Sequence, residues 1–261
     1  MATIEVLTRG AIRVLTIANE PKRNAFTHHM TTRLGACLDE ADHDPAVRCV
    51  VITGAGDRAF SSGHDLNELM AHRDHAADPA LNAPFSKPLK MTKPTIAAVN
   101  GAAHAGGFIL ALSCDMRVCD PKADFAAPGA RIGLLPIGGQ ISHFPNLLPC
   151  GIAFELLATG RRMSAQEAAG LGFVNHVSAS NAVLEHAVSL AREIAENSMT
   201  VVAGIKRGLA ILTHDGADAA ARFEWAEGRR LQSAPDADEG VRAFLEKRSP
   251  RFTDVAKRTS E

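Results

Sequence analysis

The hydropathy pattern changes period along this chain. Residues 4–7 and 12–17 are apolar-rich runs on either side of Arg9 and Gly10, which predicts an N-terminal β-hairpin. Across 27–42, Met30, Leu34, Cys37, Leu38 and Ala41 recur at helical spacing behind Thr27, which predicts a helix capped by that threonine. Residues 47–53 and 95–99 are continuous apolar runs of the buried-strand type. Each leads through small residues into a helix start, the first at His64, Asp65 and Leu66, the second through the loop 100–107 into a helix at 108–113. Short strands are expected at 116–119 and 124–126. The polar, proline-containing stretch 71–86 reads as a mobile loop.

From Asn181 the pattern is helical almost throughout. A helix at 182–196 carries Val183, Ala187, Leu190 and Ile194 on one face, and three more follow through Lys247, jointed at Gly216 and Pro235. Val201, Ile205, Leu209 and Leu212 are spaced as a stripe facing either a core or another subunit. The fold class predicted is α/β, built from repeated strand–strand–helix units. Gly10, Gly54 and Gly101 punctuate those units without an exact repeat.

Composition narrows the function classes. With 261 residues the chain can bury a substantial core, and 46% apolar with 22% charged residues is that of an ordinary globular protein. A net charge of −1 gives no broad attraction to nucleic acid or an acidic membrane, so neither partner is expected. No run approaches the ~20 apolar residues of a membrane span, and the N-terminus has no leader pattern, so a cytoplasmic location is expected. The cysteines Cys37, Cys49, Cys114, Cys119 and Cys150 are odd in number and widely spaced. No disulfide framework or metal pair follows, and Cys49, Cys114 and Cys119 read as reduced core residues.

The candidate chemistry lies in the two strand–loop–helix units. Gly and Ala in such loops let backbone approach a ligand, and the N–H groups at a helix start can hold a developing negative oxygen. Two such units make a two-donor oxyanion hole; the alternative is a close helix–strand crossing with no ligand. The run Ser61, Ser62, Gly63, His64, Asp65 is not a catalytic triad, because adjacent residues on one turn do not form the required hydrogen-bonded chain. Gly54, Ala55 and Gly56 lack the Lys-Ser/Thr of a phosphate loop. His72, Asp74, His75 and Asp78 could in principle hold a metal, but a solvated loop suits them better, and no metal is expected.

The motifs A-F-S-S-G-H-D-L and K-P-x-I-A-A-V-N-G-x-x-x-x-G-G, with C-D-M-R, F-A-A-P, I-G-L-L-P-x-G-G, G-F-V-N-H-V and the late E-G-V-R-A-F-L-E-K-R, resemble the enoyl-CoA hydratase/isomerase (crotonase) superfamily over essentially the whole chain. The resemblance implies a crotonase-type spiral over residues 1–200 and a helical oligomerisation region at 201–261, packed as a homotrimer or hexamer. It implies an acyl-CoA thioester as ligand, with coenzyme A entering as part of the substrate and no separate cofactor. The thioester carbonyl would lie between the backbone N–H groups of His64 and Gly106. Substrate contacts would come from Ala25, Ser62, Asp65, Leu66, Ile109, Pro128 and Gly129, with local positive charge from Lys22 and Arg23. Phe244 and Lys247 would meet the adenine and phosphate, often from a neighbouring subunit; the alternative for these two is an ordinary amphipathic helix. The chain departs from the family at the two glutamates of hydration, whose positions are held by Ile109 and Gly129. A later acidic position of some relatives falls at Ile137, and the chain has no tyrosine. The S-S-G-H-D-L and A-A-P-G combination resembles the enoyl-CoA hydratase domain-containing branch, whose members lack the same glutamates. The standard two-glutamate hydration is therefore not expected, and a non-catalytic acyl-CoA binder is the alternative function. His104, His143, Glu68 and Arg131 remain as titratable candidates near the site.

Overall fold

The structure, a computed structural model, describes residues 2–71 and 78–253. The chain runs through β1 (Thr3–Arg9), β2 (Ile12–Ala18), α1 (His28–His43), β3 (Cys49–Gly54), β4 (Ala59–Ser61), α2 (Leu66–Ala71), α3 (Pro79–Ser86), β5 (Thr95–Val99), β6 (Ala102–His104) and α4 (Gly106–Ser113). It continues through β7 (Met116–Cys119), β8 (Asp124–Ala126), α5 (Cys150–Thr159), β9 (Met163–Ser164), α6 (Ala165–Gly170) and β10 (His176–Val177). It ends in α7 (Val183–Ala195), α8 (Met199–Asp215), α9 (Ala217–Gln232) and α10 (Pro235–Leu245).

Strand pairs alternate between two sheets. The larger is ordered β1-β2-β3-β5-β7-β10 and the smaller β4-β6-β8-β9. β1 and β2 pair antiparallel as the expected hairpin, while β2, β3, β5, β7 and β10 are parallel. From β3 to β8, each turn of the spiral lays one strand in each sheet and returns through helix. All six residues of β3 are buried because both faces are covered. Cys49 and Val51 face α7, with its Val183, Ala187, Val188 and Ala191. Val50 and Ile52 face the interior, where Leu34 and Leu38 of α1 lie with Phe26, Phe60, Phe108 and Phe173.

The helix behind Thr27 forms as the spacing predicts: the Thr27 hydroxyl accepts the Met30 N–H, and Met30, Leu34, Cys37, Leu38 and Ala41 are all buried. Cys49, Cys114 and Cys119 are buried thiols whose pKa burial pushes up to about 12. Among the described residues, no helix is long and apolar enough to cross a membrane.

Four readings change. The expected loop 100–107 contains a strand, β6 (Ala102–His104). The stretch 71–86 is not a loop throughout: residues 78–86 hold α3, whose first turn is capped by Asp78 and opened by Pro79. Residues 72–77 lie outside the described part. Between 127 and 181 the sequence reading had no elements, whereas α5, β9, α6 and β10 are present. The α8 stripe is not core of this chain: Val201, Ile205, Leu209 and Leu212 are all exposed, Ile205 by 58%. α8 is instead tied down through Lys206, whose ammonium donates to the carbonyls of Pro88 (2.8 Å) and Lys93 (3.1 Å) and to Asp115 (2.8 Å).

Candidate active site

The two small-residue loops meet backbone to backbone. Beyond β4, the Phe26 N–H donates to the Gly63 carbonyl (2.7 Å) and the Asp65 N–H to the Phe26 carbonyl (2.8 Å). This forms a parallel bridge between Phe26 and His64. Bridge geometry uses the peptide groups on either side of His64 and turns its own N–H to the opposite side. Beyond β6, the Ala105 N–H donates to Ala126 (3.0 Å), and Ala105 takes a positive φ of 49° as the N-cap of α4. The first bond of α4 runs from the Ile109 N–H to Ala105 (2.9 Å), so the Gly106 N–H lies ahead of the helical ladder. A Cβ on Gly63 would sit 2.8 Å from the Gly106 nitrogen, and one on Gly107 would sit 2.3 Å from the Ser61 carbonyl oxygen. Glycine is required at both by close approach alone, and Gly63 also has a φ of 92°.

The His64 imidazole belongs to α3. Its Nε2 lies 3.1 Å from the Asn82 Oδ1, and its ring stands edge-to-face on Phe85 at 5.0 Å. Phe85 in turn packs on Phe26 at 4.8 Å. Sequence reasoning missed both Asn82 and Phe85. The signal was present in D-P-A-L-N, an N-cap aspartate followed by proline, which identifies a helix start.

The remaining expected contacts divide into three groups. Ala25, Ser62 and Asp65 lie on the same corner as His64. Arg23 and Asn24 form this corner in left-handed conformations, and the buried Asn24 amide donates to the carbonyls of Ala55 (2.9 Å) and Ala59 (2.7 Å). The Ala25 N–H donates to Lys22 (3.1 Å), and its carbonyl accepts from Asn19 (2.7 Å). The Ser62 hydroxyl donates to the Lys22 carbonyl (3.3 Å). The Asp65 carboxylate is turned inward: it accepts from the Lys22 ammonium and the Asn67 N–H, and the ammonium beside it holds its pKa below the usual carboxylate range. Leu66, which opens α2, is exposed.

The second group is Ile109, Pro128 and Gly129. Ile109 is only 4% exposed, and its side chain lies against Gly138, where an added Cβ would come within 2.9 Å of it. Pro128 and Gly129 open a 3-10 turn, and the Leu134 N–H donates to the Gly129 carbonyl (2.9 Å). Gly129 has no positive φ; the obstacle to a side chain there is the Leu134 carbonyl oxygen, 2.6 Å from a built Cβ. The third group, Phe244 and Lys247, lies at the end of α10, which packs on α9, away from the elements that carry His64 and Gly106. Phe244 is 84% exposed.

The titratable candidates are differently occupied. The His104 Nε2 is bonded to Asp124, which Arg162 also approaches at 3.5 Å. Burial would raise the Asp124 pKa, but the His104 bond and the nearby charges leave it lowered. Glu68 accepts the His28 N–H (2.7 Å), and Arg131 donates to the Thr159 carbonyl (2.7 Å). His143 follows the Gly138–Gly139 turn, and burial, with Arg117 and His214 nearby, pushes its pKa down. Among the described residues, no group of three or more His, Cys, Asp or Glu could hold a metal ion. Asp78 caps α3, and His72, Asp74 and His75 lie outside the described residues.

A spiral of strand pairs in which two glycine loops meet backbone to backbone is a crotonase-type architecture. The chain belongs to the enoyl-CoA hydratase/isomerase family, whose model matches residues 8–256. It is 36% identical over 256 residues to a carnitinyl-CoA dehydratase of Proteus mirabilis, covering 96% of this chain and 98% of that protein. An enoyl-CoA hydratase structure from Polaromonas superposes with a TM-score of 0.89 at 32% identity, covering 96% of this chain and 99% of that one. An enoyl-CoA hydratase structure from Bacillus anthracis superposes at 0.92 with 28% identity, covering 97% of this chain and all (100%) of that one.

Proposed function

We propose that this protein binds acyl-CoA thioesters and acts on them as an enoyl-CoA hydratase/isomerase-like enzyme of fatty acid or acyl-CoA metabolism. The observation that carries this reading is the backbone contact of Gly63 with Gly106, which brings the peptides of His64 and Gly106 together. A thioester oxygen placed between those N–H groups accepts two hydrogen bonds. These strengthen as negative charge builds on it, whether water adds at the β-carbon or a proton leaves the α-carbon. The N-terminal end of α4 adds its positive dipole to the same oxygen. The names of the relatives, a carnitinyl-CoA dehydratase and enoyl-CoA hydratases, support water addition or removal on a CoA ester.

The proton chemistry differs from the two-glutamate pattern. Ile109 and Gly129, at the positions of the family glutamates, carry no titratable group, so direct hydration by that route is slow. The same observation favours a second reading, a non-catalytic acyl-CoA binding or regulatory protein. On either reading, the helices of 201–261 pack subunits into a trimer or hexamer, and Phe244 and Lys247 reach the nucleotide of a neighbouring protomer.

Crotonyl-CoA distinguishes the readings. Calorimetric binding with loss of the enoyl-thioester absorbance means turnover, and binding with unchanged absorbance means a binder. No binding to any thioester overturns both.

A further inference from the structure

The guanidinium of Arg117 is buried in the core and bonds main-chain carbonyls. Its Nε donates to Phe173 (2.6 Å), and its Nη1 donates to Ala111 (3.2 Å), Leu112 (3.4 Å) and Cys114 (2.7 Å). The last three acceptors belong to the final turn of α4 and its C-cap, where carbonyls have no helical partner. The Cys114 thiol takes the Leu110 carbonyl at 3.4 Å. One side chain and one thiol thus satisfy this helix end in the dry interior. Burial lowers the Arg117 pKa, while Cys114 and Asp115 favour its charged form, and a guanidinium remains ionised in proteins. A fixed cation at a helix C-terminus is where the helix dipole favours it.

The other end of the same helix is Gly106. All eight residues of α4 are buried, and the helix is otherwise apolar apart from Ser113, whose hydroxyl has no partner among the described residues. Apolar packing is not directional along the axis, whereas charge-assisted hydrogen bonds from Nη1 to the α4 end, the shortest to Cys114 at 2.7 Å, are. The guanidinium also lies 4.8 Å over the Phe173 ring, and Phe173 packs on Phe108, in the first turn of α4, at 5.9 Å. Arg117 therefore grips the last turn of α4 directly and the first turn through one aromatic ring.

We infer that Arg117 is a positioning residue for the oxyanion hole: by fixing the axial register of α4 from its far end, about 12 Å away at 1.5 Å per residue, it aims the Gly106 N–H at the thioester oxygen. This rests on the proposed role of Gly106. An arginine serves because its planar guanidinium donates to Phe173 from Nε and to the α4 end from Nη1 while stacking over the Phe173 ring, which a lone ammonium does not reproduce.

The test reads carbonyl polarisation rather than turnover. Bound para-dimethylaminocinnamoyl-CoA absorbs further to the red the more its thioester carbonyl is polarised. At saturating protein, wild type is expected to shift it, Arg117→Met to give less than about half that shift, and Arg117→Lys an intermediate one. Melting temperature and ligand affinity are recorded alongside, because a merely structural role lowers stability but leaves the shift of the bound ligand intact. A full shift in folded Arg117→Met overturns the inference. If Arg117→Met does not fold, Arg117→Lys decides: a reduced shift supports the inference and an unchanged one overturns it. A wild-type protein that binds the probe with no shift overturns instead the oxyanion reading on which the inference rests.

Discussion

Gly63 and Gly106, one from each of two loops 43 positions apart in sequence, touch through their backbones: a Cβ on Gly106 would lie 3.4 Å from the Gly63 Cα, and one on Gly63 would lie 2.8 Å from the Gly106 nitrogen. The contact has no side chain to absorb a change. It joins the segment between β4 and the Phe26–His64 bridge to the first peptide of α4, so the spacing of the His64 and Gly106 peptides is set by glycine.

Gly63→Ala is therefore expected to do more than strain one residue. It places a methyl against backbone at a φ of 92°. Stability should fall by about 1–3 kcal/mol, and the preference for crotonyl-CoA over free CoA should shrink toward none. Gly10→Ala is the control, with a φ of 66° and no atom within 4 Å of the new methyl. It should cost about 1 kcal/mol in thermal unfolding and leave thioester selectivity unchanged.

The close approach of the two loops was legible because it is a contact of backbone with backbone. Gly63, Gly106 and Gly107 announce close approach by having no side chain, and the apolar runs at 47–53 and 95–99 locate β3 and β5, whereas the short strands directly before the two loops, β4 and β6, carry no such signal. The side-chain partners were not legible in the same way. Nothing in the spacing says that the His64 ring will lean on Phe85 and Asn82, 21 and 18 positions later, because that contact depends on how α3 folds over the loop. Arg117 shows the same difficulty. This cation in the apolar strand β7 is buried, because the carbonyls it needs come from α4 and from Phe173, which its place in sequence does not show. The bond between the Lys22 ammonium and the Asp65 carboxylate had no signal in the spacing of the two residues. The obstacle to a side chain at Gly129 has no sequence signal either, because it is the Leu134 carbonyl of the following turn.

Stability should depend on pH through His143. Its folded pKa is depressed, first by burial and then by Arg117 and His214. The unfolded imidazole, with an ordinary pKa of about 6.5, then binds protons that the folded state refuses. The contribution is complete above about pH 6.5 and is lost as pH falls through the lower folded pKa. Denaturant midpoints for wild type should drop from pH 7 to pH 5. His143→Gln should flatten that drop, and an identical slope in the two proteins would remove His143 as its source.

The exposed apolar stripe of α8 should be covered in solution. Sedimentation is expected to show a trimer or hexamer, and a stable monomer at micromolar concentration contradicts the subunit role of the C-terminal helices. With the assembly formed, Phe244→Ala should weaken CoA binding by about 1–2 kcal/mol through lost stacking. Unchanged affinity would leave Phe244 an ordinary surface residue of α10.

The two positions without carboxylates give the sharpest expectation. A positioned acid–base group contributes ~10²–10⁴-fold, so wild-type protein should hydrate crotonyl-CoA far more slowly than a two-glutamate enzyme. Ile109→Glu together with Gly129→Glu should raise that rate, each single change giving less than the pair because the groups act as a unit. The gain is bounded by two features of the site. A carboxylate at 109 replaces a side chain only 4% exposed and packed on Gly138, where desolvation raises its pKa and favours the neutral acid. A Cβ at 129 meets the Leu134 carbonyl oxygen at 2.6 Å, so the turn must open before the new glutamate can point anywhere. Ile109→Glu should accordingly be the better single change, measured as crotonyl-CoA turnover at neutral pH. Efficient hydration by the unmodified protein would reverse the argument: some other group would then move the proton. His143 would be the first to replace, because its lowered pKa leaves it neutral and able to accept one, whereas His104 is already bonded to Asp124.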